Sequence, residues 1–530
     1  MISHVVGVMV RHLRLKAVAA IVATLIASTA ALPSQAQTVK AVMGWNVATI
    51  DPHKSRSRVT ATHAQMIFDQ LFALDTKLHV QPQMVERYSV SDDGRIYSFT
   101  LREGLAFHDG RPVTAADVVA SMKRWMEMSQ NGQTAAAQTE AVAAIGDRDV
   151  EWTLKRPFPF LLQLLARPTL SPAVVMPAEI AASRDALEVE QMIGSGPFRF
   201  KSDEWVPGAK VVYVKNEDYR PRSEPTDGFA GSKEVFVDRV EWLVMNDLQT
   251  AQAALLNGEI DFMENPPFET FQVLEASGAI TVRSLDAYGR QGVFIFNHAQ
   301  PPFNNRYARE AIQWLVDQDK FLKIAVGREE LYQTCLTLWT CGSPYETHVN
   351  SDAVAGYDPE KAKALMEKAG YNGETVTLLE NVEEPPEDSA MLLLAQELRN
   401  IGVKVELVPL DWAGVIERRR SKEGWNAYIT GTRGPDGALP ILNNFGRTTC
   451  ENGMGWACNE EITKLREEWV FSRSEEELKS NAARIQELLN EEAIYVVFGQ
   501  WKLPVAYRSV LSDVQDAPMV TPFFGMKKDG

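Results

Sequence analysis

The sequence predicts an α/β protein of two lobes that face each other across a cleft. Three observations carry that expectation. The chain has 530 residues, and one hydrophobic core rarely serves a chain so long. Its first part reads as strand-rich, whereas its later part alternates strand and helix. Its tail, Ile494 to Tyr507, returns to strand.

The elements follow in order. Residues 1–16 carry Arg11, Arg14 and Lys16 and no acid, and an alanine-rich apolar run extends from Ala17 to Leu32. Pro33-Ser34-Gln35-Ala36 then supplies small residues for a cleavage site. Residues 1–36 therefore read as a secretory signal peptide cut near Ala36/Gln37. A membrane anchor is the rival reading, but the run is short for one. No cysteine lies near the cut, the first being Cys335, so no lipid anchor is expected. Export to an oxidising space, a bacterial periplasm, is the expected route. Removing 36 residues leaves 494, with 51 basic against 70 acidic side chains and a net charge of −19. Such acidity speaks against nucleic acid or an anionic membrane as partner.

Within the mature chain, Val39–Val47 alternates loosely and Ile96–Arg102 alternates well, after a turn at Asp92-Asp93-Gly94. Thr114 is placed to cap a helix over Ala115–Glu127, with Asp117 at its positive end. Asp147–Leu154 gives a turn and a strand, Phe198–Lys215 two strands around Pro207-Gly208, and Val235–Met245 another strand. In the later part, Asp358-Pro359 opens a helix to Lys368 that Gly370 closes. Thr375–Glu380, Val403–Leu410 and Ala427–Thr430 read as strands, and Glu387–Asn400 and Trp412–Lys422 as the helices between them. That alternation predicts a parallel sheet. Glu460–Trp469 and Glu475–Glu491 are amphipathic helices. The cysteines form two close pairs, Cys335/Cys341 and Cys450/Cys458, which after export read as local disulfides. Neither pair has the CxxC spacing or nearby histidines of a metal site, and no metal or cofactor is expected.

Several motifs resemble one known family, the extracellular solute-binding proteins of family 5, which serve ABC importers of peptides, dipeptides and nickel. Ile50-Asp51-Pro52-His53 is similar to its early LDP motif. Ser91 to Arg124 matches its most specific block. Gly194-Ser195-Gly196-Pro197-Phe198, Ala253–Asp261, Pro301-Pro302-Phe303-Asn304, Arg309-Glu310-Ala311-Ile312 and Tyr357–Gly370 follow in the family's order. The resemblance implies a two-lobed periplasmic-binding-protein fold of the class with an extra β-rich subdomain. It implies a discontinuous larger lobe, residues 37–290 and 499–530, with the extra subdomain at about 80–190. The smaller α/β lobe would span 291–498, with hinge strands near Leu285–Asn297 and Glu492–Trp501. The implied function is capture of a peptide or peptide-like polar solute by lobe closure, and the implied partner is an ABC importer membrane permease. A monomer is expected.

In peptide-binding members an Asp four residues before a Pro pairs with the ligand α-ammonium. Asp436, in Arg433-Gly434-Pro435-Asp436-Gly437-Ala438-Leu439-Pro440, fits that placement, although an Asp beside Gly437 also suits a plain turn. Where dipeptide-binding relatives clamp the ligand carboxylate with Arg, this chain has Glu384, in Val382-Glu383-Glu384-Pro385-Pro386. The carboxylate would then fall to Arg433, or the ligand is cationic or lacks one; the two acids also read as a solvated loop. Trp45, Trp412, Trp425, Phe445 and Trp456 are the candidate aromatic lining. The alternative function is a periplasmic hydrolase of peptides or conjugates. The chain has no HExxH, GxSxG or P-loop motif, and a binding protein, not an enzyme, is the expectation.

Overall fold

The computed structural model describes residues 37–529, apart from Trp45, Asn46, Ala48, Asn452 and Arg473. The signal-peptide reading of residues 1–36 and the candidate Trp45 thus lie outside the described residues.

Strand Thr38–Val42 lies inside a seven-stranded sheet. The order is Ile280–Ser284, Pro504–Arg508, Phe262–Glu264, Thr38–Val42, Arg239–Leu243, Lys210–Lys215, Phe198–Phe200. Thr38–Val42 runs parallel to both neighbours, and every other pairing is antiparallel. Its alternation sends Val39 and Ala41 into one core and Val42 into a second, against Ala251, Ala254 and Leu255 of helix Leu248–Asn257. The Pro207-Gly208 hairpin is less simple than expected, because a short 3₁₀ turn, Ser202–Glu204, stands between its strands.

A four-stranded antiparallel sheet follows the order Val85–Val90, Ile96–Leu101, Asp149–Leu154, Thr139–Ala144. Tyr97, Phe99, Leu101, Val150, Trp152 and Leu154 point to a core shared with Trp125 of helix Ala115–Met128. Thr114 caps that helix in a reciprocal box, its hydroxyl taking the Asp117 N–H and the Asp117 carboxylate taking the Thr114 N–H. Under this subdomain, Asp51 and Arg124 form a buried bidentate pair at 3.1 and 2.6 Å.

The third sheet has six strands: Tyr332–Gln333, Tyr495–Trp501, Arg290–Phe296, Ala427–Arg433, Val376–Asn381, Val405–Leu410. The last three are parallel, as the alternation predicted, but the sheet as a whole is mixed. Arg290–Phe296 is antiparallel to both Ala427–Arg433 and Tyr495–Trp501. The reason is the chain's path. It enters from the seven-stranded sheet after Ser284 and leaves for it after Trp501, and Arg290 lies opposite Trp501. Entry and exit at one end force neighbouring strands to run oppositely. Gly292 and Gly499 face each other there, and a Cβ on Gly292 would stand 2.0 Å from the Phe498 ring.

Helix Pro385–Asn400 begins two residues earlier than expected, with Pro at its first positions. Helix Trp412–Arg418 stops short of Lys422, where Ser421 instead gives its carbonyl to the Trp425 indole (2.7 Å). Cys335–Cys341 and Cys450–Cys458 are both bonded.

Candidate functional site

In open α/β sheets, ligands bind beyond the carboxyl ends of the parallel strands. Here those ends bring a cluster of charges together. Arg433 is the last residue of Ala427–Arg433 and lies opposite Arg290, the first residue of its neighbour. Helix Pro385–Asn400 starts just past Asn381, with Glu384 as its N-cap and Glu387 in its first turn. Arg290 Nε donates to Glu387 Oε1 at 2.9 Å, and Arg290 Nη1 lies 3.9 Å from Glu384 Oε1. Burial raises the Glu387 carboxyl, against the opposing pull of Arg290.

The seven-stranded sheet and the segments around it supply the facing groups. Arg58 Nη2 donates to Glu264 Oε2 at 3.0 Å, and the Gly44 N–H reaches the same oxygen at 3.1 Å. The Thr521 hydroxyl donates to Oε1 of Glu264. Burial opposes the Glu264 charge, but Arg58, these donors and Arg433 hold its pKa below the usual value. Arg58 Nη1 also donates to the Met519 carbonyl (3.3 Å), and the Met519 N–H donates to Asp286 Oδ2 (3.1 Å). Burial raises the Asp286 carboxyl. Arg433 lies in the field of Arg58, Arg290, Glu384 and Asp286. Burial, Arg58 and Arg290 disfavour its charge, Glu384 and Asp286 favour it, and the balance lies well below the ordinary guanidinium pKa.

The sequence-predicted residues fall into three groups. Arg433 and Glu384 belong to this cluster. Asp436 sits in the first turn of helix Gly434–Ala438, and its carboxylate meets Arg167. Of the aromatics, Trp412 opens its helix half-buried, its backbone N–H donating to Glu383 Oε2 (3.0 Å) and the Arg419 guanidinium 5.4 Å from its ring. Trp456 is half-buried, with Lys422 Nζ 5.0 Å from its ring. Phe445 and Trp425 are packed with Trp339 and Ile485 into a core against the six-stranded sheet. Sequence reasoning missed Arg58, Arg167, Glu264, Asp286, Arg290 and Glu387. Two left a trace: Arg290 heads the apolar strand Arg290–Phe296, and Arg167 ends the apolar stretch Leu161–Ala166.

Next to this cluster, a cavity of about 560 Å³ lies along the two crossovers, lined by Ser284–Tyr288 and Lys502 together with Arg283, Arg328, Glu330 and Asp516. It shares Asp286 with the charge cluster. His108 is structural: its ring nitrogens face the Gly196 carbonyl (3.2 Å) and the Gly194 N–H (3.3 Å).

A family profile described as "Bacterial extracellular solute-binding proteins, family 5 Middle" matches residues 79–450. The chain belongs to this family. This family 5 protein is 35% identical over 483 residues to the probable peptide ABC transporter periplasmic-binding protein y4tO of Sinorhizobium fredii, an alignment covering 89% of this chain and 90% of that one. It is 28% identical over 406 residues, 75% of either chain, to the glutathione-binding protein GsiB of Escherichia coli O6:K15:H31. Among solved structures, the ABC transporter substrate-binding protein CtaP of Listeria monocytogenes superposes with a TM-score of 0.79 at 21% identity, covering 93% of this chain and 100% of that one. That likeness carries the two-lobed fold. The family is one of solute binders, and the matches lend no support to the hydrolase alternative.

Proposed function

We propose that this family 5 protein is exported through a cleaved signal peptide, residues 1–36, and works as a monomer without a lipid anchor in the periplasm. There it traps a peptide-like solute between its lobes and delivers it to an ABC importer permease. The larger lobe is assigned residues 37–290 and 499–530, with its extra subdomain at about 80–190, and the smaller lobe 291–498. The relatives' printed names, a peptide transporter component and a glutathione binder, support a peptide-like solute.

One observation carries the site assignment. Arg433 stands at the carboxyl end of a parallel-sheet strand, among groups from both lobes, in surroundings that disfavour its charge. A ligand carboxylate is assigned to this place, where Arg433 and Arg290 start two guanidinium side chains from strand positions opposite each other. Trp412 and Trp456 are assigned to the ligand's apolar parts, and Glu384 to orienting Arg290.

Lobe closure requires that the solute bind the closed form more tightly than the open one. Mass spectrometry of solute released by denaturing freshly purified protein tests the reading. An unaltered small molecule bearing a carboxylate is expected. Steady turnover of added peptides by pure protein would sink it. Arg433→Met should weaken that solute's binding by roughly 2–5 kcal/mol, the scale for truncating one partner of a buried charge pair. Calorimetry showing equal affinity removes Arg433 from the site.

A further inference from the structure

Residues 335–341 are almost wholly buried, yet they form no helix and no strand. No ladder satisfies their backbone, and buried N–H and C=O groups must find partners. Amide side chains supply them. Gln318 takes the Cys335 N–H (2.6 Å) and donates to the Cys335 carbonyl (2.9 Å). Gln291 donates to the Thr337 carbonyl at 2.8 Å, and Asn443 to the Leu338 carbonyl at 3.0 Å. Gln486 takes the Leu338 N–H at 2.7 Å. Gln500 takes the Cys341 N–H (2.9 Å) and donates to the Cys341 carbonyl (3.1 Å). The Cys335–Cys341 bond closes the loop on itself.

These bonds reach both crossovers and the candidate site. Gln291 and Gln500 lie opposite each other on strands Arg290–Phe296 and Tyr495–Trp501. Gln500 Nε2 also donates to the Tyr288 carbonyl at 2.8 Å, so one side chain ties the second crossover strand to the first crossover and to the loop. On the loop's other side, the Thr340 hydroxyl donates to the Gly434 carbonyl at 2.8 Å, and Asn443 reaches the Gly437 carbonyl at 3.1 Å. The Gly434 N–H is held by the Gly289 carbonyl at 3.0 Å. The fit explains both glycines of this turn. A Cβ on Gly434 would strike Tyr288, and one on Gly437 would stand 2.5 Å from the Thr340 hydroxyl oxygen. Arg433 is the N-cap of helix Gly434–Ala438, so the turn that the loop grips also sets its place.

We propose that loop 335–341 is a clasp that couples the crossovers to the Arg433 turn, with Gln500 and Thr340 as its positioning residues. The inference rests on the lobe-closure reading above, since closure bends the chain at the crossovers. A change there shifts Tyr288 and Gln500, the loop follows through Cys341, and Thr340 carries the shift to Gly434. Solute held at Arg433 and the angle between the lobes then belong to one equilibrium.

The test uses the full mature protein, stripped of solute by unfolding and refolding with its disulfides intact. Hydrogen exchange read by mass spectrometry follows residues 434–443, and strand Ile96–Leu101 is the control for global loosening. Thr340→Val should speed exchange at 434–443 at least tenfold relative to that control. Thr340→Ser, which keeps the hydroxyl, should restore the wild-type rate. Gln500→Leu acts at Tyr288 and Cys341, yet it should speed exchange at 434–443 as well. Added to Thr340→Val it should change little more, because both cut the same link. Additive effects, or wild-type exchange at 434–443 in Gln500→Leu, overturn the proposal. If Gln500→Leu does not fold, Cys335→Ser with Cys341→Ser takes its place with the same expectations. A tryptic digest of casein is the binding probe. Thr340→Val should retain at least tenfold less peptide than wild type, and Thr340→Ser as much as wild type. Equal retention by Thr340→Val also overturns the proposal. If wild type retains no peptide, the peptide-like reading fails instead, and the exchange rates alone decide the clasp.

Discussion

Asp51 and Arg124 entered the sequence only as parts of two motifs 73 positions apart, and the fold joins them. Their side chains are 1% and 0% exposed, and the Leu187 N–H completes the carboxylate's bonding at 3.1 Å. Burial works against the Asp51 charge, but the Arg124 bonds and field outweigh it and lower its pKa. The motifs therefore encode scaffold. Arg124→Met should destabilise the protein by about 3–5 kcal/mol, because it leaves a buried carboxylate alone. Denaturant melts read the loss, and a midpoint within error of wild type would contradict it. The same contrast explains what was legible at the site. Arg433 and Glu384 were named only because the family resemblance pointed to the turn and the helix start where they stand. Arg58 and Glu264 are 206 residues apart, and Arg290 and Glu387 97. Topology makes such pairs, and no local pattern announces them.

Helices were the most legible elements, because their ends carry their own chemistry. Thr114 with Asp117, Asp358 with Pro359, and the amphipathic stretches at 460–469 and 475–491 all form helices where caps and periodicity put them. Thr114→Ala should cost about 1 kcal/mol, the usual worth of an N-cap, and a denaturation midpoint that does not move would show the box to be idle. Strand direction was less legible. A strand's alternation says which face is buried but not which way its neighbour runs, so Arg290–Phe296 and Tyr495–Trp501 were expected as hinge strands without their antiparallel pairing. Those two strands also leave little room between them. Gly292→Ala would drive a methyl into the Phe498 ring, and overpacking of this kind costs roughly 1–3 kcal/mol. Phe498→Leu in the same chain should recover part of the loss. Equal melts for wild type and Gly292→Ala would show that the strands have room to spare.

At the scale of the whole molecule, length, the strand-rich first part and the returning tail were enough for a two-lobed α/β chain, because core size limits and strand–helix alternation act over hundreds of residues. Its response to pH was not readable, since that depends on which histidines the fold buries. Burial lowers His53, His63 and His298 to about 3, and His108 to about 4. His63 is the cleanest case. It is fully buried, Nδ1 lies 2.7 Å from the Tyr213 hydroxyl, and its ring meets Phe200 edge-on at 5.3 Å. Unfolded, it takes a proton near its usual 6.5; folded, it stays neutral down to about 3. Its contribution is therefore intact above about pH 6.5 and drains away as pH falls toward 3, at about 1.4 kcal/mol per unit. Glu380 works the other way: burial, then Asp388, lifts it to about 7, so what it contributes is present below its usual 4.5 and lost as pH rises through 7. Comparing wild type with His63→Gln cancels Glu380 and every other group. The stability difference between the two chains should shift by about 2 kcal/mol in the variant's favour between pH 7 and pH 5. Parallel stability curves over that interval would mean that His63 takes up its proton in the folded state too, and that the core around Tyr213 admits the charge.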